Sequence, residues 1–245
     1  MSGRRGARIL IVVAAAVTLV AAPWNTPASA VLPGDVPIQP GAPMMDPRGL
    51  YVGGDNFCTL NFVFTEQAPN PRTYIGAASS CASHVGERAR SPELGAFGTV
   101  VYEEEQIAVG FALIEIDRDK LQHVSRVVRG FGAAPTGYTT SHGTTAGDPL
   151  VTHGYPYASQ HGAQAVTRVG VLGGDTETHY WSSIQPNIQE TGSPVVRLDG
   201  KAVGISNELS AFWGTWLPEA PPVAQFPTVE GILSSRRSAG FNVTL

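Results

Sequence analysis

The chain has 245 residues, 16 of them Lys or Arg and 20 Asp or Glu, for a formal net charge of −4. An acidic balance of this kind argues against a surface built for nucleic acid or an anionic membrane. The length suits one large all-β domain or two small ones, and two cysteines without paired-histidine spacing point to no metal and no cofactor.

Residues 1–30 read as a secretory signal peptide. Arg4, Arg5 and Arg8 form a basic start, residues 9–22 an apolar run, and Ala28-Ser29-Ala30 a small-residue cleavage site. The alternative is an uncleaved anchor, but the apolar run falls short of the ~20 residues that a span needs. Cleavage removes three Arg and no acid, leaving 13 basic and 20 acidic residues. The exported chain is expected outside the cell or in its envelope, with no membrane span. Residues 31–48 carry Pro33, Pro37, Pro40, Pro43 and Pro47 among glycines. They read as an extended arm or linker without a core of its own, either mobile or packed on the domain surface.

Regular structure is expected from about residue 49. Cys58-Thr59-Leu60-Asn61-Phe62-Val63-Phe64 alternates apolar and polar residues for most of its length, as a half-buried strand does. A turn at Pro69-Asn70-Pro71-Arg72 leads into a strand over residues 73–78. Further strands are expected at 98–102, 107–116, 124–129, 150–152, 165–172, 193–198 and 202–206. Short strands at this spacing, separated by Gly-rich turns, indicate a sandwich or barrel. A single helical turn fits after Ser79. One C-terminal helix fits residues 228–239, with Val229, Ile232 and Leu233 on one face, Arg236 and Arg237 near its end and Gly240 beyond it. Cys58 and Cys81, in an exported chain, form most simply one disulfide.

Three stretches carry a family resemblance. Gln189-Glu190-Thr191-Gly192-Ser193-Pro194-Val195-Val196 precedes a turn at Leu198-Asp199-Gly200-Lys201 and a second apolar run, Ala202-Val203-Gly204-Ile205. It resembles the Gly-Asp-Ser-Gly-Ser-Pro-Val segment of trypsin-like serine proteases. Ile75-Gly76-Ala77-Ala78-Ser79-Ser80-Cys81 resembles the strand that ends in Thr-Ala-Gly-His-Cys. Val109-Gly110-Phe111-Ala112-Leu113-Ile114 resembles Asp-Phe-Ala-Leu-Ile. The resemblance covers roughly residues 50–240. It implies an all-β fold of two six-stranded barrels, about 49–135 and 145–227 within a domain of 49–240, with a short C-terminal helix. It also implies that Cys58 and Cys81 are the family's disulfide pair.

The same alignment implies a degenerate catalytic triad. In the family the positions held here by Ser80, Gly110 and Thr191 carry His, Asp and Ser. Gln189 stands at the oxyanion-hole glycine, and Glu190 replaces an Asp. Acyl transfer needs a base beside the nucleophile, and Ser80 supplies none. His84 reads as an exposed polar residue, and Asp117 and Asp119 as solvent-facing acids. The expected function is therefore a secreted, non-catalytic protease homologue that binds a protein or peptide in the inter-barrel cleft. Trp213 and Trp216 either line that cleft or cover a barrel end. The alternative is a hydrolase with Thr191 as nucleophile and a base drawn from His142, His153, His161 or His179.

Overall fold

A computed structural model describes residues 35–45, 57–82, 84–104, 110–141, 143–155, 165–184, 190–206 and 224–245. The chain folds into β1 (Pro43–Met45), β2 (Phe57–Thr59), β3 (Val63–Glu66), β4 (Thr73–Ala78), β5 (Arg88–Ser91), β6 (Gly95–Glu103) and β7 (Phe111–Ile116). There follow β8 (Gly137–Tyr138), β9 (Pro149–Gly154), β10 (Val166–Asp175), β11 (His179–Ser182), β12 (Pro194–Arg197), β13 (Lys201–Ile205) and β14 (Ala224–Pro227). The helix α1 (Val229–Ser238) and β15 (Val243–Thr244) end the chain. Short 3-10 segments lie at Ser79–Cys81 and Arg118–His123.

Two curled sheets result. The first runs β15-β3-β4-β7-β6-β5, and the second β14-β11-β10-β9-β12-β13-β8. All their pairings are antiparallel except β13 with β8. The fold is the expected all-β double barrel with one C-terminal helix. Each strand set encloses apolar side chains. Leu60, Ile75, Phe97 and Ile114 fill the first, and Leu150, Leu172, Tyr180 and Val203 the second. A third cluster, with Phe62, Phe111, Val196 and Ile232, packs between the sheets and the helix. The second sheet closes through an antiparallel bridge from Gly204 to Thr228. Only glycine fits there: a Cβ at Gly204 would stand 2.2 Å from Pro227 O and 2.4 Å from the Tyr180 ring.

Several of the expected strands are present. The strand at 73–78 is β4, and residues 150–152 and 165–172 lie within β9 and β10, the latter from Val166. Three expectations differ. The strand expected from Cys58 to Phe64 is broken into β2 and β3, because Asn61 Oδ1 takes the Phe62 N–H at 2.8 Å and Leu60 pairs with Ala42. Residues 124–129 form no strand, because the Val128 carbonyl accepts the N–H groups of Phe131 and Gly132 in a turn. The arm packs on the domain, and more deeply than a surface segment: Ile38, Gln39 and Ala42 are fully buried, and β1 pairs with β2. Pro40 lacks an N–H, but its carbonyl accepts from Arg129 N at 2.9 Å. Residues 1–30, expected to be a signal peptide, lie outside the described residues, as do the start of the 107–116 strand and both Trp213 and Trp216.

Helix α1 begins at Thr228, whose Oγ1 accepts the Gly231 N–H at 3.0 Å. It is tied to the first sheet by Arg236, which is fully buried. The guanidinium lies 3.3 Å from the Tyr102 ring centroid, bonds Glu104, and faces Phe111 at 5.1 Å. Burial depresses its pKa, and Tyr102 and Glu104 oppose that shift. Removing one partner of a buried pair costs about 3–5 kcal/mol when the other charge stays out of water. Without Glu104 the fully buried Arg236 does so, whereas without Arg236 the Glu104 carboxylate, 15% exposed, keeps access to solvent. Glu104→Gln is therefore expected to lower unfolding free energy more than Arg236→Met does, as read from urea denaturation of the two variants.

Candidate active site at the junction of the sheets

The loop before β12 is built into its neighbours on all sides. Glu190, Thr191 and Ser193 are buried at 1%, 4% and 0% exposure. The Glu190 carbonyl accepts two hydroxyls, from Ser193 at 2.6 Å and Ser206 at 2.8 Å. Gly192 donates to Ser206 O at 2.7 Å, and Ser206 N returns a bond to Ser193 O at 2.9 Å. Gly192 has φ +92°, and a Cβ there would stand 2.3 Å from Thr59 O, so the position requires glycine.

Elements that flank the first sheet, β2 and the 3-10 turn after β4, reach this loop directly. The Thr59 N–H at the end of β2 donates to Thr191 O at 3.0 Å. Cys81 Sγ lies 3.9 Å from the same oxygen. Cys58 and Cys81 are bonded to each other, which ties β2 to the turn that carries Ser80. That turn is fixed to β7 by Ser79 N–H donating to Gly110 O at 3.0 Å. Ser80, Gly110 and Thr191 thus stand around one junction, though they are far apart in sequence. The Ser80 hydroxyl is buried and has no hydrogen-bond partner among the described residues.

Glu190 has a partner that the sequence reading did not identify. Arg168 on β10 holds its carboxylate through Nε at 3.0 and 2.8 Å and through Nη2 at 2.6 Å. This hydrogen bonding raises the Arg168 pKa. A signal for it exists: alternation along β10 puts Arg168 in line with the buried Leu172. A cation on the inward face of a strand implies a buried carboxylate facing it.

The histidines divide. His84 is exposed. His179 Nδ1 lies 2.9 Å from Thr178 Oγ1. His153 Nδ1 lies 2.8 Å from Thr167 Oγ1, and its ring sits against Gly41 and Gly130. Desolvation, with the nearby Arg129 charge adding to it and Asp35 opposing it, lowers the His153 pKa to about 4. At neutral pH it is uncharged and a poor proton acceptor. Asp117 bonds Arg88, and Asp119 pairs with Lys120 at 3.1 Å. His142, His161 and Gln189 lie outside the described residues. Among the described residues no helix is long and apolar enough to cross a membrane.

No family model matches the sequence, and no curated protein matches it either. Solved structures do match the fold. One is a glutamic-acid-specific serine protease described as using a histidine triad in substrate binding. It has TM-score 0.54 and 13% identity over 85% of this chain and all of that one. Another is a Glu endopeptidase in complex with MPD, with TM-score 0.53 and 15% identity over 86% of this chain and 95% of that one. These likenesses establish the serine-protease fold. They also overturn the expectation of a non-enzyme as a reading from aligned positions: both of these structures are of peptidases. The physical reason is that a residue change at an aligned position does not by itself remove a reaction, because a proton acceptor can be supplied from another segment.

Two outcomes follow from the ionisable groups. Arg168→Met leaves the Glu190 carboxylate buried and unpaired, and is expected to cost about 3–5 kcal/mol in denaturant unfolding. For His153, the unfolded chain takes up its proton below pH ~6.5 and the folded chain only near pH 4. Stability from this group is therefore present at neutral pH and lost as pH falls from 6.5 towards 4. His153→Gln should reduce the acid loss of unfolding free energy between pH 7 and pH 4 by about 2 kcal/mol, the ring being partly exposed.

Proposed function

We propose that this protein is a secreted hydrolase of the peptidase class that takes an extended peptide at the junction of its two sheets. The reacting oxygen in this reading is the Thr191 hydroxyl. Ser80, Gly110 and Thr191 are read as the positions that carry His, Asp and Ser in trypsin-like proteases. The observation that carries the proposal is the shaped loop at 190–193. Its backbone is bonded on both sides, its carboxylate is paired with Arg168, and Thr191 is held at the same junction as the Ser80 turn. A loop fixed in this way presents a hydroxyl with little reorganisation, as nucleophilic catalysis requires.

The chemistry then needs a base. A Ser80 hydroxyl does not accept a proton at neutral pH, and Gly110 offers no carboxylate to orient an imidazole. The base is assigned to an imidazole from another segment. His142 and His161 are the candidates, since His153 and His179 are engaged with threonine hydroxyls and His84 faces solvent. Attack of Thr191 Oγ1 on the peptide carbonyl would form an ester and release the amine. Water would then hydrolyse that ester. Export by residues 1–30 fits the disulfide, which needs an oxidising compartment.

The test is turnover of a peptide panel by the exported chain, with glutamic-acid-containing peptides included because the similar structures are enzymes named for that residue. Thr191→Val is expected to lower turnover by about 10³-fold or more, while Thr191→Ser retains it. Absence of turnover and of probe labelling in the folded wild type overturns the hydrolase. Peptide affinity measured on the same sample then decides whether the junction binds peptide without cutting it.

A further inference from the structure

The arm reaches the Thr191 loop through a chain of buried contacts. Arg129 is 4% exposed and lies at its centre. Its Nη2 donates to Val36 O at 2.8 Å, and its Nη1 to Tyr155 Oη at 2.8 Å. Its peptide N–H donates to Pro40 O at 2.9 Å. Its Nε lies 3.9 Å from the Asp35 carboxylate. The arm is braced on itself as well. Gln39, fully buried, accepts the Val36 N–H at 2.7 Å and donates to Asp35 at 3.0 Å.

Both branches from Arg129 end on Thr59. On one branch, Tyr155 N–H donates to Thr59 Oγ1 at 3.0 Å. On the other, the arm continues into β1, which pairs Pro43 with Thr59 and Met44 with Cys58. Thr59, fully buried, then donates its N–H to Thr191 O. We propose that residues 35–45 are a positioning clamp for the Thr191 loop, and that Arg129 locks this clamp through Val36, Pro40 and Tyr155. The physical reason is desolvation. A guanidinium out of water must keep its acceptors, so the arm and Tyr155 are held together, and Thr59 is fixed between them. Arg129 is thus a positioning residue that touches no reacting atom. The clamp acts on the same loop as the proposed hydrolase, and its test reads the loop itself, so the two fail separately.

The test is amide hydrogen exchange in the exported chain, wild type against Arg129→Met and Tyr155→Phe. The clamp predicts that Arg129→Met speeds exchange of the Thr59 amide and of residues 190–193 by about tenfold or more. Exchange in β7 should stay within about twofold of wild type. Tyr155→Phe, which removes one acceptor and keeps the backbone bond to Thr59, should give the same pattern with a smaller rise. If hydrolysis is present, kcat falls in both variants with KM little changed. Faster exchange confined to residues 35–45, with Thr59 and 190–193 unaltered, would show a strap without influence on the loop. Equal acceleration everywhere in Tyr155→Phe would show general destabilisation. Either result overturns the clamp.

Discussion

The Thr59 N–H donates to the Thr191 carbonyl across the junction of the two sheets, and the working end of the molecule depends on that contact. Residues 190–193 form no strand or helix, so their buried backbone groups need partners from outside. Thr59 and Ser206 supply them, and the Ser193 hydroxyl adds a bond within the loop. The disulfide adds a covalent limit, since it joins the strand that carries Thr59 to the turn that carries Ser80. A junction between two separate cores is thereby given one geometry.

Two buried arginines and one half-buried one do the same at larger scale. Arg168 holds the loop carboxylate, Arg129 holds the arm, and Arg236 holds the C-terminal helix on the first sheet. Each bridges segments distant in sequence. Such pairs contribute little net stability, because desolvation offsets most of the Coulombic gain. Their effect lies in specificity: a misplaced arm or helix would leave a charge buried without an acceptor. The two short strands β1 and β15, at opposite ends of the chain, are fixed beside these contacts.

The chemistry of the junction is set by the same packing. Thr191 is a secondary alcohol in a loop that also meets the Ser79–Cys81 turn, where the buried Ser80 hydroxyl has no partner among the described residues. A buried polar atom without a partner is costly and is found where a site must accept a further group. His153 is excluded from a basic role by its surroundings, because burial and Arg129 hold it neutral and its ring faces the arm. The fold around this junction is shared with solved structures of glutamic-acid-specific proteases.

The sequence by itself determined the fold class, the C-terminal helix and the disulfide. Each follows from a local rule: short apolar runs between Gly-rich turns read as the strands β4, β9 and β10, α1 has its Thr228 cap and Gly240 stop, and the two cysteines of a chain expected to be exported pair. The short strands β11 and β14 were not legible, because each is a few residues whose pairing is set only by the other. Only the tertiary structure decided the role of the arm, since nothing in a Pro- and Gly-rich stretch shows that its carbonyls will meet a buried guanidinium. It likewise decided the partner of Glu190 and the neutral state of His153. Those depend on which charges share a region of low dielectric, and residues 35, 129 and 153 come together only once both sheets have closed.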